Sequence, residues 1–201
     1  MLEIVIASGN VHKVRELKRL LPIPGITFHS LNRFSGVPAV RESGRTFTAN
    51  AELKARAASK ATGRLALADD SGLEVEALGW GPGIRSARFA GWHGDDRANN
   101  AKLLRLLKGL PASRRRARYR CALVLAAPSG TLAAVHGGWQ GRIALEPRGR
   151  GGFGYDPLFI VPRLGKTVGQ LSSGTKARLS HRAAAARRMR PILRRLARRA
   201  R

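Results

Sequence analysis

The chain has one cysteine, Cys121, so no intramolecular disulfide can form. It also lacks an apolar run long enough to cross a bilayer: the opening MLEIVIASG falls far short of the roughly 20 residues a spanning helix needs. That stretch carries no secretory-leader pattern. With the lone thiol, this points to a reducing compartment, the cytosol, and to no membrane partner. Zinc motifs are missing too. The histidines at 12, 29, 93, 136 and 181 show no ligand spacing, and there is no H-E-x-x-H. Neither a Walker A loop nor a full G-x-G-x-x-G opening a helix occurs, which excludes the two commonest nucleotide fingerprints. There is no internal repeat and no separable linker, so residues 1–201 read as a single domain with its own core.

The scarcest resource is negative charge. Twelve Asp and Glu stand against 38 Lys and Arg, for a net charge of +26. Much of the excess lies in RRRARYR at 114–120 and in the tail RRMRPILRRLARRAR at 187–201. In the tail Met189, Leu193, Leu196 and Ala200 recur at helical spacing. No aromatic residue interleaves with the tail arginines to stack bases. The charge is therefore expected to be a solvated surface, with no dedicated nucleic-acid site. A basic nucleic-acid-binding protein is the alternative that the charge keeps open.

Strand and helix signals alternate along the chain, giving an α/β class with a mixed sheet. EIVIA (3–7) reads as a buried strand. NVHKVRELKRLL is a helix with Asn10 as N-cap, ended by Pro22, Pro24 and Gly25. ITFHSL is a second strand, and residues 33–46 are a loop. FTANAELKARAASKATG is a helix terminated by Gly63. RLALA is a strand entering an Asp69-Asp70-Ser71-Gly72 turn, and LEVEAL resumes as a new strand with Glu74 and Glu76 on its polar face. GWGPGIRSARFAG is a long loop, and DDRANNAKLLRLLKGL is an amphipathic helix. YRCALVLAA and TLAAVHGGW form a hairpin about PSG, GRIAL is a further strand, and RGRGGFGYDPLFIV is a loop leading into another. Pro191 is expected to kink or split the last helix.

Against that scarcity, Asp69, Asp70, Glu74 and Glu76 fall within eight residues. Adjacent strand residues face opposite ways, so Asp69 and Asp70 cannot serve one metal as equals while a strand continues. At a strand end, one carboxylate can bond nearby amides while the other enters a cleft. Hard oxygen donors suit Mg²⁺, which takes one or two carboxylates plus substrate phosphates and waters; an ordinary Asp-Ser-Gly turn is the alternative. SGNVHK (8–13) is a turn opening a helix, where backbone N–H groups and Lys13 suit a phosphate, or else a plain strand–helix corner. GGFGYDP (151–157) lets backbone and ring approach a flat ligand, or is a hairpin tip. SHR (180–182), near Lys176, offers donors to carbonyl or phosphate oxygens, or is a polar helix start. Cys121 reads as a small core residue.

In this order, SGNVHKVREL, ESGRTFTANAELKARAA, ADDSGLEVEALGWGPGIRSARFAG, GGFGYDPLF and KARLSHR resemble the inosine triphosphate pyrophosphatase (Ham1-like) family, from residue 4 to about 190. The resemblance implies an elongated mixed sheet flanked by helices, with two lobes and an active-site cleft between them, and a homodimer. It implies hydrolysis of ITP, dITP and XTP to the monophosphate and pyrophosphate with Mg²⁺, which clears deaminated purine nucleoside triphosphates from the nucleotide pool. Matched by position, Ser8, Gly9, Asn10, Val11, His12 and Lys13 would hold the triphosphate, with Lys54 near it. Asp70 would be the catalytic carboxylate, as a base towards water or as the anchor of the metal, and Glu42 would share the Mg²⁺. Ser71 would touch substrate. Phe153, Gly154, Tyr155 and Asp156 would hold base and sugar, with Phe153 placed to stack, and Lys176, His181 and Arg182 would complete the nucleobase pocket. Ala49, Gly169-Gln170 and Ala183 depart from the family's usual Glu, Ala-Glu and Gly.

Overall fold

The computed structural model describes residues 1–200, so the last residue of the arginine-rich tail, Arg201, lies outside the described residues. Strand β1 (Leu2–Ile6) is an apolar, β-branched run with Ile4, Val5 and Ile6 fully buried. Helix α1 (Val11–Leu20) follows where expected, because the Asn10 carboxamide oxygen accepts from the backbone N–H groups of His12 (2.9 Å) and Lys13 (3.1 Å). Strand β2 (Ile26–Ser30) returns parallel to β1, with Ile4 opposite Phe28. Helix α2 (Phe47–Thr62) starts at Thr46, whose hydroxyl accepts from Ala49 N–H, and stops at Gly63, which sits at φ 65. Its Ala51, Ala55 and Ala58 are spaced to bury one stripe, and all three are buried.

The remaining elements are β3 (Leu65–Val75), β4 (Gly81–Pro82), α3 (Asp96–Leu106), β5 (Arg116–Ala127), β6 (Gly130–Ile143), β7 (Phe159–Val161), β8 (Lys166–Thr167), α4 (Ser173–Leu179) and α5 (His181–Arg199). The sheet order is β2-β1-β3-β5-β6-β7-β8, with β4 beside β3. Strand β1 pairs parallel to β2 and β3, whereas β4, β7 and β8 pair antiparallel, so the sheet is mixed and helices flank it.

Four sequence expectations change. There is no turn at 69–72: β3 runs through Asp69, Asp70, Ser71 and Gly72 without a break. Charge that would expel these residues from a strand is neutralised by partners far away in sequence. GRIAL begins no new strand either; its Gly141, Arg142 and Ile143 finish β6, and a Cβ at Gly141 would meet Phe159 and Ile160 at 2.5 Å. The segment 81–88 holds β4 and a short 3₁₀ helix instead of an open loop. Pro191 does not split α5, which runs from His181 to Arg199 as one helix.

The chain divides into two compact units. One comprises Met1–Asp70, Cys121–Gly137 and the chain from Arg182 onward; the other comprises Ser71–Arg120 and Gly138–His181. In the first, Ala66 and Ala68 of β3 pack with the α2 alanines and with Ala122 and Val124. In the second, Leu73, Val75, Tyr119, Trp139, Phe159 and the α3 leucines 103 and 107 make a separate core.

Candidate active site

Because β3 continues, its side chains alternate, and the two aspartates part company. Asp70 shares the orientation of Ala66 and Ala68 and meets α2, where Lys54 Nζ lies 2.8 Å from its Oδ1. Asp69 points the other way, to α1 and α5. There it receives Lys13 Nζ at 2.7 Å, Arg182 Nε at 3.0 Å and the Cys121 thiol at 3.0 Å. Asp69 therefore supports no turn; it is a fully enclosed counter-ion.

Their proton affinities diverge accordingly. Burial alone would raise Asp69, but the charges of Arg182 and Lys13 outweigh it and hold the carboxyl well below its usual range. For Asp70 burial prevails over the pull of Lys54 and Lys13, and its affinity rises. The Asp69 carboxylate and burial together push the Cys121 thiol far up, so it stays a neutral donor in the core, as its apolar setting suggested.

Around Asp70 the chemistry is open. Its Oδ2 is buried and has no hydrogen-bond partner. Lys54 also reaches Glu42 Oε1 at 2.8 Å, so one ammonium joins the two carboxylates expected to bind metal. That ammonium marks where positive charge is favoured between them. Burial disfavours the Lys54 charge, but Asp70 and Glu42 more than restore it, and its affinity for the proton rises. Among the described residues no group of three or more His, Cys, Asp and Glu forms a ready-made cage. Two carboxylates with one orphaned buried oxygen fit Mg²⁺, which completes its shell with water and phosphate oxygens.

In the same unit, the turn at 8–13 is tied internally: Ser8 Oγ accepts from Asn10 N–H at 3.2 Å, and Asn10 caps α1. At Gly9 a Cβ would meet nothing within 4 Å, so nothing crowds the turn. The first N–H groups of α1 lack intrahelical acceptors and stand at the positive end of the helix dipole. Val11 and His12 are exposed there. Lys13 is held at the helix's first turn by Asp69.

The second unit brings together Phe153, Asp156, Lys176 and His181. Gly152 and Gly154 have φ 77 and 64, which lets the loop fold back on Asp156. Asp156 is buried and accepts from Phe153 N–H (2.9 Å), Lys176 Nζ (2.6 Å) and Tyr119 Oη (3.2 Å). Lys176 Nζ lies 4.4 Å from the centre of the Phe153 ring, a cation–π contact that fixes both. His181 is buried and stacks on Tyr119 with ring centres 4.6 Å apart. Tyr155 faces the core instead, its hydroxyl donating to Ser86 O at 2.8 Å, so this residue shapes the loop through its backbone and anchor. Gly154 is pinned by Asp96, which accepts its N–H at 2.6 Å. Ser71 follows Asp70 on β3 and is half-buried. Arg182 is enclosed in the first unit, its guanidinium pairing with Asp69 and Glu16.

Sequence reasoning missed three contributors. Tyr119 was hidden as one more β-former in RRRARYR, although a hydroxyl inside a buried strand needs a partner. Glu16 is the sole acid of α1, a signal for a specific cation. Asp69 was read through the wrong local structure.

Comparison with known proteins identifies the family. The Ham1 family profile matches residues 4–192. A dITP/XTP pyrophosphatase of Desulforamulus reducens is 49% identical over 195 residues, 97% of either chain. One from Geobacillus kaustophilus is 50% identical over 185 residues, 92% of this chain and 91% of that one. The solved HAM1 protein of Coxiella burnetii superposes with a TM-score of 0.87 at 43% identity, covering 96% of this chain and 98% of that one. With the profile spanning nearly the whole chain and identity this high over both lengths, the chain belongs to the Ham1 family.

Proposed function

We propose that the protein is a Mg²⁺-dependent pyrophosphatase that hydrolyses deaminated purine nucleoside triphosphates (ITP, dITP, XTP) to the monophosphate and pyrophosphate, working in the cytosol as a homodimer. The observation that carries this is Asp70: a buried carboxyl with raised proton affinity, one unpartnered oxygen, and a lysine shared with Glu42. The relatives' activity points the same way.

Cleaving the bond between the α and β phosphates consumes one water, whose proton must be taken up as the new P–O bond forms and pyrophosphate leaves. Asp70 would accept it or anchor the metal, a role its buried, unpartnered Oδ2 supports. A Mg²⁺ held by Glu42 and Asp70 would neutralise phosphate charge and polarise the phosphorus under attack. Residues 8–13 offer the α1 N-terminus and Lys13 to a triphosphate carrying about four negative charges. Ser71 touches the substrate. Phe153 stacks on the base, the 154–156 backbone holds base and sugar, and Lys176 and His181 supply donors to the base, while the Arg182 guanidinium is paired with Asp69 and Glu16. A 6-keto purine presents an acceptor to such donors, whereas adenine presents an amine and leaves a donor unpaired.

The test is pyrophosphate release from ITP, XTP and ATP, with Mg²⁺ and with EDTA. Preference for ITP or XTP over ATP, abolished by EDTA, is expected; equal turnover of ATP sinks the specificity, and EDTA-resistant turnover sinks the metal.

A further inference from the structure

The unit that contains α1, α2 and α5 has six acidic residues, and each already has a cation elsewhere. Glu3 pairs with Arg64, Glu16 with Arg182, Glu42 and Asp70 with Lys54, Glu52 with Arg56, and Asp69 with Lys13 and Arg182. These partners do not include the outer arginines of α5. This helix has arginine at 182, 187, 188, 190, 194, 195, 198 and 199 and no acidic residue. Its inner side is spent on the core: Met189 and Leu193 are fully buried, Ala197 nearly so, and Arg190 donates to Leu20 O on α1 at 2.8 and 3.0 Å.

The exposed arginines fall in two rows of identical spacing, Arg187-Arg194-Arg198 and Arg188-Arg195-Arg199, each i, i+7, i+11. Arg194, Arg195, Arg198 and Arg199 form no ion pair among the described residues. Helix polarity favours cations only in the last turn, and like charges four apart oppose each other. Arg188 donates to His136 O, so the positive field is concentrated at Arg194, Arg195, Arg198 and Arg199.

We propose that this face docks the phosphate backbone of duplex nucleic acid, independently of the pyrophosphatase site. Charge complementarity names a polyanion, and two geometric facts choose among polyanions. An anionic membrane would call for an apolar side free to enter the bilayer, but that side of α5 is buried against the protein. Single strands call for exposed aromatics to stack on bases, and α1 and α5 contain no Phe, Tyr or Trp. A rigid rod of arginines about 18 Å long instead matches a regular row of phosphates, read without sequence preference.

The experiment follows the anisotropy of a labelled 20-bp DNA duplex against salt, using the full chain. The fourfold variant R194Q/R195Q/R198Q/R199Q is compared with R105Q/R114Q/R142Q/R163Q, which removes the same charge from exposed arginines of the other unit. The first is expected to bind at least about tenfold more weakly than the parent at moderate salt, with a log K–log salt slope shallower by about 3.6, since each of four lost phosphate contacts removes about 0.9. The second is expected to bind nearly as the parent does. Both should retain the parent's melting temperature and pyrophosphate release. Equal losses in the two variants overturn the proposal in favour of net charge alone. Tighter binding to a single strand of equal length, or to phosphatidylglycerol vesicles, overturns the duplex assignment.

Discussion

Neighbouring aspartates on one strand should respond oppositely to the same substitution. Asp69→Asn removes the charge that Lys13 and Arg182 share inside the protein, leaving Arg182 with Glu16 and Lys13 without its ion-pair partner Asp69. Breaking a buried ion pair from one side typically costs about 3–5 kcal/mol. For a chain of 150–250 residues each kcal/mol moves the melting temperature by about 2–4 °C, so a fall of roughly 6–20 °C is expected. Asp70→Asn differs. Burial already disfavours the Asp70 charge, its Oδ2 has no partner, and Lys54 keeps Glu42. Neutralising it should leave stability within about 1 kcal/mol of the parent while abolishing pyrophosphate release. Thermal unfolding and the ITP assay on both variants suffice. Equal destabilisation by the two substitutions, or near-normal turnover by Asp70→Asn, refutes the division of labour.

Three further outcomes follow from the same contacts. Gly152→Ala places a Cβ 1.9 Å from Asp156 Oδ2 at a residue with φ 77, so the carboxylate must move; KM for ITP should rise at least tenfold, measured by steady-state kinetics. Tyr119→Phe keeps the ring stacked on His181 but deletes the hydroxyl donated to Asp156; a several-fold rise in KM with kcat preserved is expected, matching a net hydrogen bond of about 1 kcal/mol. For pH, turnover needs Asp70 ionised, so activity should fall as pH drops, with its midpoint above the ordinary aspartate value of about 3.9. Asp69 has the opposite sign: its folded proton affinity is depressed, so its stabilisation is complete above about pH 3.9 and is lost only as pH falls below that. Activity should therefore fail before the fold does during acid titration.

Much of this was legible because it is local. Asn10 at the start of α1, Gly63 at the end of α2 and the alanine stripe of α2 each act through residues within a few positions, and each stands where the sequence put it. The mistakes share another origin. Asp-Asp-Ser-Gly has turn chemistry, and only partners as far away as Arg182, 113 residues on, make it a strand. Gly141 reads as the start of a further strand, yet β6 continues through it because Gly141 leaves room for Phe159. Pro191 was assigned its local cost, but packing of Met189 and Leu193 on either side holds α5 together. The candidate residues were found by motif, whereas the roles of Tyr119, Glu16 and Asp69 depend on contacts that no spacing reveals.

The concentration of scarce acid at 69–70 then has a physical cause. A strand presents successive residues to opposite faces, and here both faces carry cations: Lys13 and Arg182 on one, Lys54 on the other. On the first face Asp69 is the carboxylate that Lys13 and Arg182 share, whereas on the second Lys54 also has Glu42. The faces differ in how fully the carboxylate is satisfied. Asp69 is surrounded by three donors and can do nothing but hold them, including the lysine offered to the phosphates. Asp70 has one donor on one oxygen, and the other oxygen is buried without one. An acid placed for structure alone would not leave that oxygen orphaned, because the desolvation penalty goes uncompensated until a ligand arrives. The same strand therefore holds the site's framework on one face and its reactive group on the other, one residue apart.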